Sequence, residues 1–133
     1  MTKDPSPASC VSAGAVIAVV EDDQSFLRAL RRLLRAAGFT VQAFRSAEEY
    51  LGERSEPPPA CMLLDIHLGG LSGFALHERL CARGAPVPTI FMTGHDDPAM
   101  RERARKLGAA GYLRKPFEDD ALISAIEQAV ASR

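Results

Sequence analysis

A doubly wound α/β fold is what this sequence predicts, and three observations predict it. Five short apolar runs, at 15–20, 39–44, 60–65, 88–92 and 110–113, are each followed by a stretch of helical period. Glycine, proline and capping residues punctuate the helical stretches at their ends. Three of the apolar runs lead straight into charge: Glu21-Asp22-Asp23 after the first, Asp65 closing the third, and Lys115-Pro116 after the fifth. Successive β–α units imply a parallel five-stranded sheet with helices on both faces.

The elements follow in order. Ala15 to Val20 is the first strand. In the helix after it, Phe26, Leu30, Leu33, Leu34 and Ala37 share one face, while Arg28, Arg31, Arg32 and Arg35 take the other. Gly38 ends it as a left-handed cap does. The second helix opens on Ser46-Ala47-Glu48-Glu49, a capping-box pattern, and is broken between Glu53 and Pro59, where consecutive prolines exclude helix. The third runs from about Ser72 to Arg83 and stops at Gly84. Asp97-Pro98, an N-cap and a first-turn proline, starts the fourth, which stops at Gly108. The fifth spans about Glu118 to Ala131, with Glu118, Asp119 and Asp120 complementing its N-terminal dipole and Leu122, Ala125, Ile126 and Ala129 facing inward.

Bulk composition narrows the function classes. A chain of 133 residues is one domain, with 1–14 expected as a disordered lead-in and 15–133 as the folded unit. A formal net charge of −1 gives no electrostatic reason to expect nucleic acid or an anionic membrane as partner. The longest apolar stretch, Ala13 to Val20, is too short to span a bilayer, and the N-terminus lacks the basic lead of a secretory signal. Cys10, Cys61 and Cys81 are odd in number and lack metal-ligand spacing, which fits incidental or buried thiols in a reducing cytoplasm.

Right-handed crossovers bring every strand's C-terminal end to one edge of such a sheet, the edge at which ligands bind. Glu21, Asp22, Asp65, Thr93 and Lys115 therefore meet at one rim. Several carboxylates with oxygen ligands only suit a hard ion such as Mg²⁺ (magnesium), which also relieves their mutual repulsion. Thr93 can donate its hydroxyl to an anionic oxygen, and Lys115 can pair with a carboxylate or a phosphoryl oxygen. Solvated acids capping adjacent helices are the plainer alternative, and convergence with a lysine argues against it. An X-Pro bond at Lys115-Pro116 is also a candidate for the cis isomer.

Glu21-Asp22-Asp23, Asp65 with Gly73 eight residues on, Thr93-Gly94 and Lys115-Pro116-Phe117 together resemble the receiver domain of two-component response regulators. The resemblance runs from about Val16 to Val130. Phe44 to Leu51 and Ile90 to His95 are most similar to the FixJ-like branch. It implies the (βα)5 flavodoxin-like receiver fold, with strand order 2-1-3-4-5. It also implies that Asp65 is the phosphoacceptor, taking a phosphoryl group from a sensor histidine kinase or phosphotransfer protein. Asp22 and Asp65 would bind Mg²⁺ directly, the backbone carbonyl of His67 would add a ligand, and Glu21 would act through water. Asp23 would extend the acidic cluster or only cap the first helix. Lys115 would pair with the phosphoryl group, while Thr93 and Tyr112 would form the switch. Such a protein is not an enzyme in the ordinary sense, although it assists its own phosphoryl transfer and hydrolysis.

Departures from the family's pattern carry their own expectations. Glu21 is one methylene longer than the usual Asp. Gly69-Gly70 replaces a proline common in the family and is expected to loosen the loop beside Asp65. His67 and His95 occupy positions that influence acyl-phosphate hydrolysis in the family and are not expected to bind metal. His77 is expected on the surface of its helix.

The chain ends at Arg133, directly after the fifth helix, and is expected to be a stand-alone receiver or a fragment of a longer protein. Its output would then be a downstream protein effector or a missing output domain. The face of helix 4, strand 5 and helix 5 could form a homodimer, and Arg101, Arg105 and Lys106 could pair with Glu118, Asp119 and Asp120 within or between subunits. A phosphorylation-independent pseudo-receiver is the alternative, and the intact set of Asp22, Asp65, Thr93 and Lys115 argues against it. A phosphatase would want an acid where His67 stands, and a flavodoxin would want a phosphate-cradling loop where Glu21 to Asp23 stand.

Overall fold

Five parallel strands form one sheet in a computed structural model that describes residues 14–53 and 58–131. The expected lead-in before residue 14, Cys10 and most of the proline-rich break lie outside the described residues. The strands are β1 (Val16–Val20), β2 (Thr40–Phe44), β3 (Cys61–Asp65), β4 (Thr89–Thr93) and β5 (Gly111–Arg114). The helices are α1 (Gln24–Ala36), α2 (Ala47–Gly52), α3 (Gly73–Ala82), α4 (Pro98–Lys106) and α5 (Asp119–Ala131). Strand order is β2-β1-β3-β4-β5, as the resemblance implied.

Side chains alternate across the sheet, and each face builds its own core. Ala18, Val20, Met62, Leu64 and Phe91 face one way and pack with Tyr50, Phe74, Leu76, Leu80 and Ala104 of α2, α3 and α4. Ile17, Val19, Leu63, Ile90 and Met92 face the other way and pack with Leu27, Leu30 and Leu34 of α1 and Leu122 and Ile126 of α5. A fully buried Leu or Ile contributes about 1.5–3 kcal/mol, so both layers hold the central strands firmly. Leu27, Leu30 and Leu34 form the buried stripe of α1, with Phe26 and Leu33 partly buried beside it, whereas Ala37 lies past the helix end as its exposed cap.

Four helices start on the side chains the sequence nominates. Asp23 accepts the Phe26 N–H, Ser46 that of Glu49, Ser72 that of Ala75 and Asp97 that of Met100. Each satisfies a backbone donor that the first helical turn leaves unpaired, worth about 1 kcal/mol. Glu49 reaches back past the cap and accepts the Arg45 N–H at 2.6 Å, one residue before the Ser46 N–H that a full capping box would use.

His77 corrects an expectation. It is 5% exposed, not on the helix surface. Its Nε2–H donates to the Leu107 carbonyl at 3.1 Å, and Nδ1 lies 3.3 Å from the Thr89 hydroxyl. The ring also packs edge-on to Phe91. It thereby ties α3 to β4 and to the end of α4. His77→Ala should cost about 2–3 kcal/mol in urea unfolding, since it strips both polar contacts and leaves a cavity. A loss within about 0.5 kcal/mol, the range of a surface change, would contradict the buried assignment.

Candidate functional site

Register carries the charged strand ends to one edge. Val20 is paired with Leu64, Asp65 with Met92 and Thr93 with Arg114, so the residues just beyond them emerge side by side. Backbone bonds continue the ladder past the strand ends. The Glu21 N–H donates to the Phe44 carbonyl at 3.0 Å and the Lys115 N–H to the Thr93 carbonyl at 2.7 Å. The Lys115-Pro116 peptide bond is cis.

Three carboxylates and one ammonium occupy this edge. Side-chain oxygens of Glu21, Asp22 and Asp65 lie within 4.8 Å of one another. Glu21 is 1% exposed and Asp65 4%, whereas Asp22 is open to solvent. Lys115 Nζ donates to Glu21 Oε1 at 2.7 Å and stands 3.6 Å from Asp65 Oδ2. Its position is backed by the face of Phe26, 4.5 Å away, a cation–π contact. Burial holds the Glu21 carboxyl above the ordinary carboxylate range, and its bonds to Lys115 and to the Asp23 N–H oppose that rise. The extra methylene of Glu21 thus serves a reach that an aspartate lacks. With two of three acids buried and only one cation beside them, the donor set fits a hard divalent ion.

The loop after β3 is tethered, contrary to the expectation that its glycines loosen it. The Gly69 N–H donates to Asp22 Oδ2 at 3.2 Å, and the Leu71 N–H donates to Glu48 Oε2 at 2.9 Å. Gly70 has φ +105°, and a Cβ there would come 2.9 Å from the Glu48 carboxylate. The flexibility of glycine is spent on a turn that only glycine adopts readily, and two acids then hold the turn. The bond from the Leu71 N–H lowers the Glu48 pKa. Sequence reasoning missed Glu48, because the capping-box pattern accounts for Glu49 and leaves its neighbour without a role. Beyond the loop, α3 begins directly behind Asp65: a Cβ on Gly73 would sit 2.3 Å from the Asp65 carbonyl oxygen.

Asp65 Oδ1 accepts the His67 N–H at 3.2 Å, which leaves Oδ2 toward Lys115. Thr93 is fully buried, and its Oγ1 accepts the His95 N–H at 3.0 Å. His67 and His95 are exposed and meet edge to face at 5.8 Å between ring centres. Tyr112 is half-buried, and its hydroxyl donates to Asp96 Oδ1 at 2.9 Å. Burial first and the Asp96 carboxylate second push the Tyr112 pKa up to about 12. Asp96 also pairs with Arg101, and Arg105 with Glu102. Those two arginines therefore find acids near them in sequence, not the acids at the start of α5. Short chain separation makes such pairing cheaper in entropy than a contact between helices.

Gly73→Ala should destabilise the protein by about 1–3 kcal/mol in urea unfolding, because the added methyl displaces the Asp65 backbone. An unchanged midpoint would contradict the close approach. The Tyr112 hydroxyl should titrate near 12, against an ordinary 10, in an ultraviolet titration of a Tyr50→Phe background, and Asp96→Asn should lower it. Because the folded-state value is raised, the stabilisation is intact below the unfolded value of 10 and fades as pH climbs toward 12. A midpoint near 10 in the background protein would contradict the contact.

Comparison with known proteins agrees with this geometry. Residues 17–127 match the family described as response regulator receiver domain. Nodulation protein W of Bradyrhizobium diazoefficiens is 43% identical over 115 residues, covering 86% of this chain and 51% of that protein. The transcriptional regulatory protein FixJ of the same organism is 40% identical over 114 residues, covering 86% of this chain and 56% of that one. The chain thus spans about half the length of these curated relatives. Among solved structures, FixJ-N superposes with a TM-score of 0.82 at 31% identity, over 90% of this chain and 95% of that one. The response regulator StyR gives a TM-score of 0.82 at 42% identity, over 90% of this chain and 61% of that one. The chain belongs to the response regulator receiver domain family of two-component systems.

Proposed function

We propose that residues 15–133 act as a phosphoacceptor receiver whose acceptor atom is an oxygen of Asp65. The observation that carries this reading is a buried aspartate with an ammonium 3.6 Å away and two further carboxylates clustered with it. The donor is a phosphohistidine on a sensor histidine kinase or phosphotransfer protein. Asp65 attacks phosphorus, the O–P bond forms as the P–N bond breaks, and the imidazole leaves with that electron pair and takes a proton from solvent.

The remaining residues act by position and charge, which is where most of the catalysis of phosphoryl transfer lies. Asp22, Asp65 and the His67 carbonyl would hold Mg²⁺, with Glu21 acting through water, and the ion would supply positive charge against the transferring oxygens. Lys115 exchanges its Glu21 partner for a phosphoryl oxygen. Thr93 already accepts the His95 N–H, so its own O–H remains free to donate to the phosphoryl group. His67 and His95 flank the approach and bear on the lifetime of the acyl phosphate.

Thr93 and Tyr112 then transmit the change. Inward movement of Thr93 draws on the loop that holds Asp96, and the Tyr112 hydroxyl bond is the contact that responds. Beside Tyr112 a cavity of about 400 Å³ lies between α4 and β5, lined in part by Pro98, Arg101, Glu102 and Arg105. We assign the face of α4, β5 and α5 to output, as a homodimer contact or as the surface read by an effector or output domain. Among the described residues no helix is long and apolar enough to cross a membrane. A cytoplasmic location fits the proposed kinase partner.

Incubation with acetyl phosphate and Mg²⁺ should add one phosphoryl group by intact mass, stable in acid, labile in base and missing from Asp65→Ala. An unmodified parent protein would favour the pseudo-receiver reading, and an undiminished adduct in the variant would move the acceptor elsewhere. Lys115→Ala should retain Mg²⁺ binding by calorimetry yet accept phosphate at least about tenfold more slowly, since it removes a charge-assisted contact of roughly 1.5–3 kcal/mol. A wild-type rate in that variant would show the lysine to be a structural counter-ion only.

A further inference from the structure

A second polar cavity, of about 320 Å³, opens between α1 and the end of β2, and the proposed phosphoryl chemistry makes no use of it. Gln24, Arg28 and Arg31 line it from α1, at spacings that put them on one side of the helix. Arg45 and Glu49 line it from the connection between β2 and α2 and from α2 itself. Its apolar lining is short, Leu27 and Ala43.

Three arginines thus line one cavity. Among the described residues none of the three makes a hydrogen bond or an ion pair, and Nε of Arg31 is shielded from solvent without an acceptor. On α4, by contrast, Arg101 pairs with Asp96, Arg103 with Glu78 and Arg105 with Glu102. Glu49 offers the only carboxylate in the lining, and one of its oxygens is taken by the Arg45 N–H. Three cations against one anion leave two positive charges without an answer. A buried donor without a partner is rare in folded proteins, and a ligand acceptor is one of its ordinary explanations.

We propose that this cavity binds the phosphate monoester dianion of a small molecule, separately from the acidic edge that holds Asp65. The dianion matches the unanswered charge. Guanidinium forks pair with phosphate oxygens in bidentate fashion, and three forks brought from two parts of the fold suit the three terminal oxygens of a tetrahedral phosphate. A planar carboxylate, with two oxygens, satisfies one fork. The volume leaves room for a small organic group beside the phosphate.

The test is an NMR titration of arginine Nε–H signals with glycerol 3-phosphate as probe, without Mg²⁺ and at fixed ionic strength. The Arg31 signal should shift saturably, with Kd about 1 mM or tighter. Arg31→Gln should abolish binding and Arg28→Gln should weaken it about tenfold, each variant first shown to melt like the parent protein. Arg35→Gln, on the same helix and outside the cavity, should bind as the parent does. Sodium chloride producing the same shift would reduce the effect to screening and overturn the proposal. Binding that survives both variants, or that Lys115→Ala abolishes, would also overturn it, the latter by assigning the ion to the acceptor edge. Succinate binding as tightly as the phosphate ester would overturn the assignment to phosphate.

Discussion

Burying the carboxylates of Glu21 and Asp65 at the edge of an apolar sheet is the constraint on which the other site features depend. Charged groups in such a place are costly unless matched, and Lys115 is the one cation paired with them among the described residues. It sits closer to Glu21 than to Asp65, at 2.7 Å against 3.6 Å. Glu21 therefore absorbs most of the resting ion pair, and Asp65 keeps an oxygen that no strong partner occupies. The proposed role of Asp65 as nucleophile requires that freedom. The surplus of negative charge left at the edge would favour the divalent ion proposed above.

Holding that arrangement requires the backbone to be fixed on all sides of Asp65. Hydrogen bonds past the ends of β1 and β5 fix Glu21 and Lys115. Behind Asp65, Gly73 lets α3 start closer than any side chain permits, and Ser72 caps the helix at that point. In front, Asp22 and Glu48 hold the glycine turn by its N–H groups. Asp22 is thus shared between a loop contact and the proposed ion site. Occupation of that site would be felt by the loop through a single side chain.

Much of this was legible in the sequence because it rests on local rules. Apolar runs of strand length, helix caps such as Asp23, Ser46 and Asp97, and charge at strand tips are all properties of short segments. The chemistry of the edge followed from topology, since parallel strands with right-handed crossovers align their C-terminal ends. The order of strands did not follow from pattern and came from the family resemblance. Contacts across the fold were not legible either. His77 reads as a polar helix residue until Thr89 and the Leu107 carbonyl arrive from other elements to satisfy it. Glu48 and Asp96 likewise take their roles from partners 23 and 16 residues away, Leu71 and Tyr112. No motif encodes which partner Lys115 keeps at rest, Glu21 at 2.7 Å rather than Asp65 at 3.6 Å.

The most direct measurement is chemical mapping of the acceptor atom. After reaction with acetyl phosphate and Mg²⁺, borohydride reduces an aspartyl phosphate to homoserine, and peptide mass spectrometry locates the altered residue. Homoserine at position 65 alone is the result this account predicts. Conversion at Asp22 or Asp23, or no conversion in a protein that carries phosphate, would contradict it.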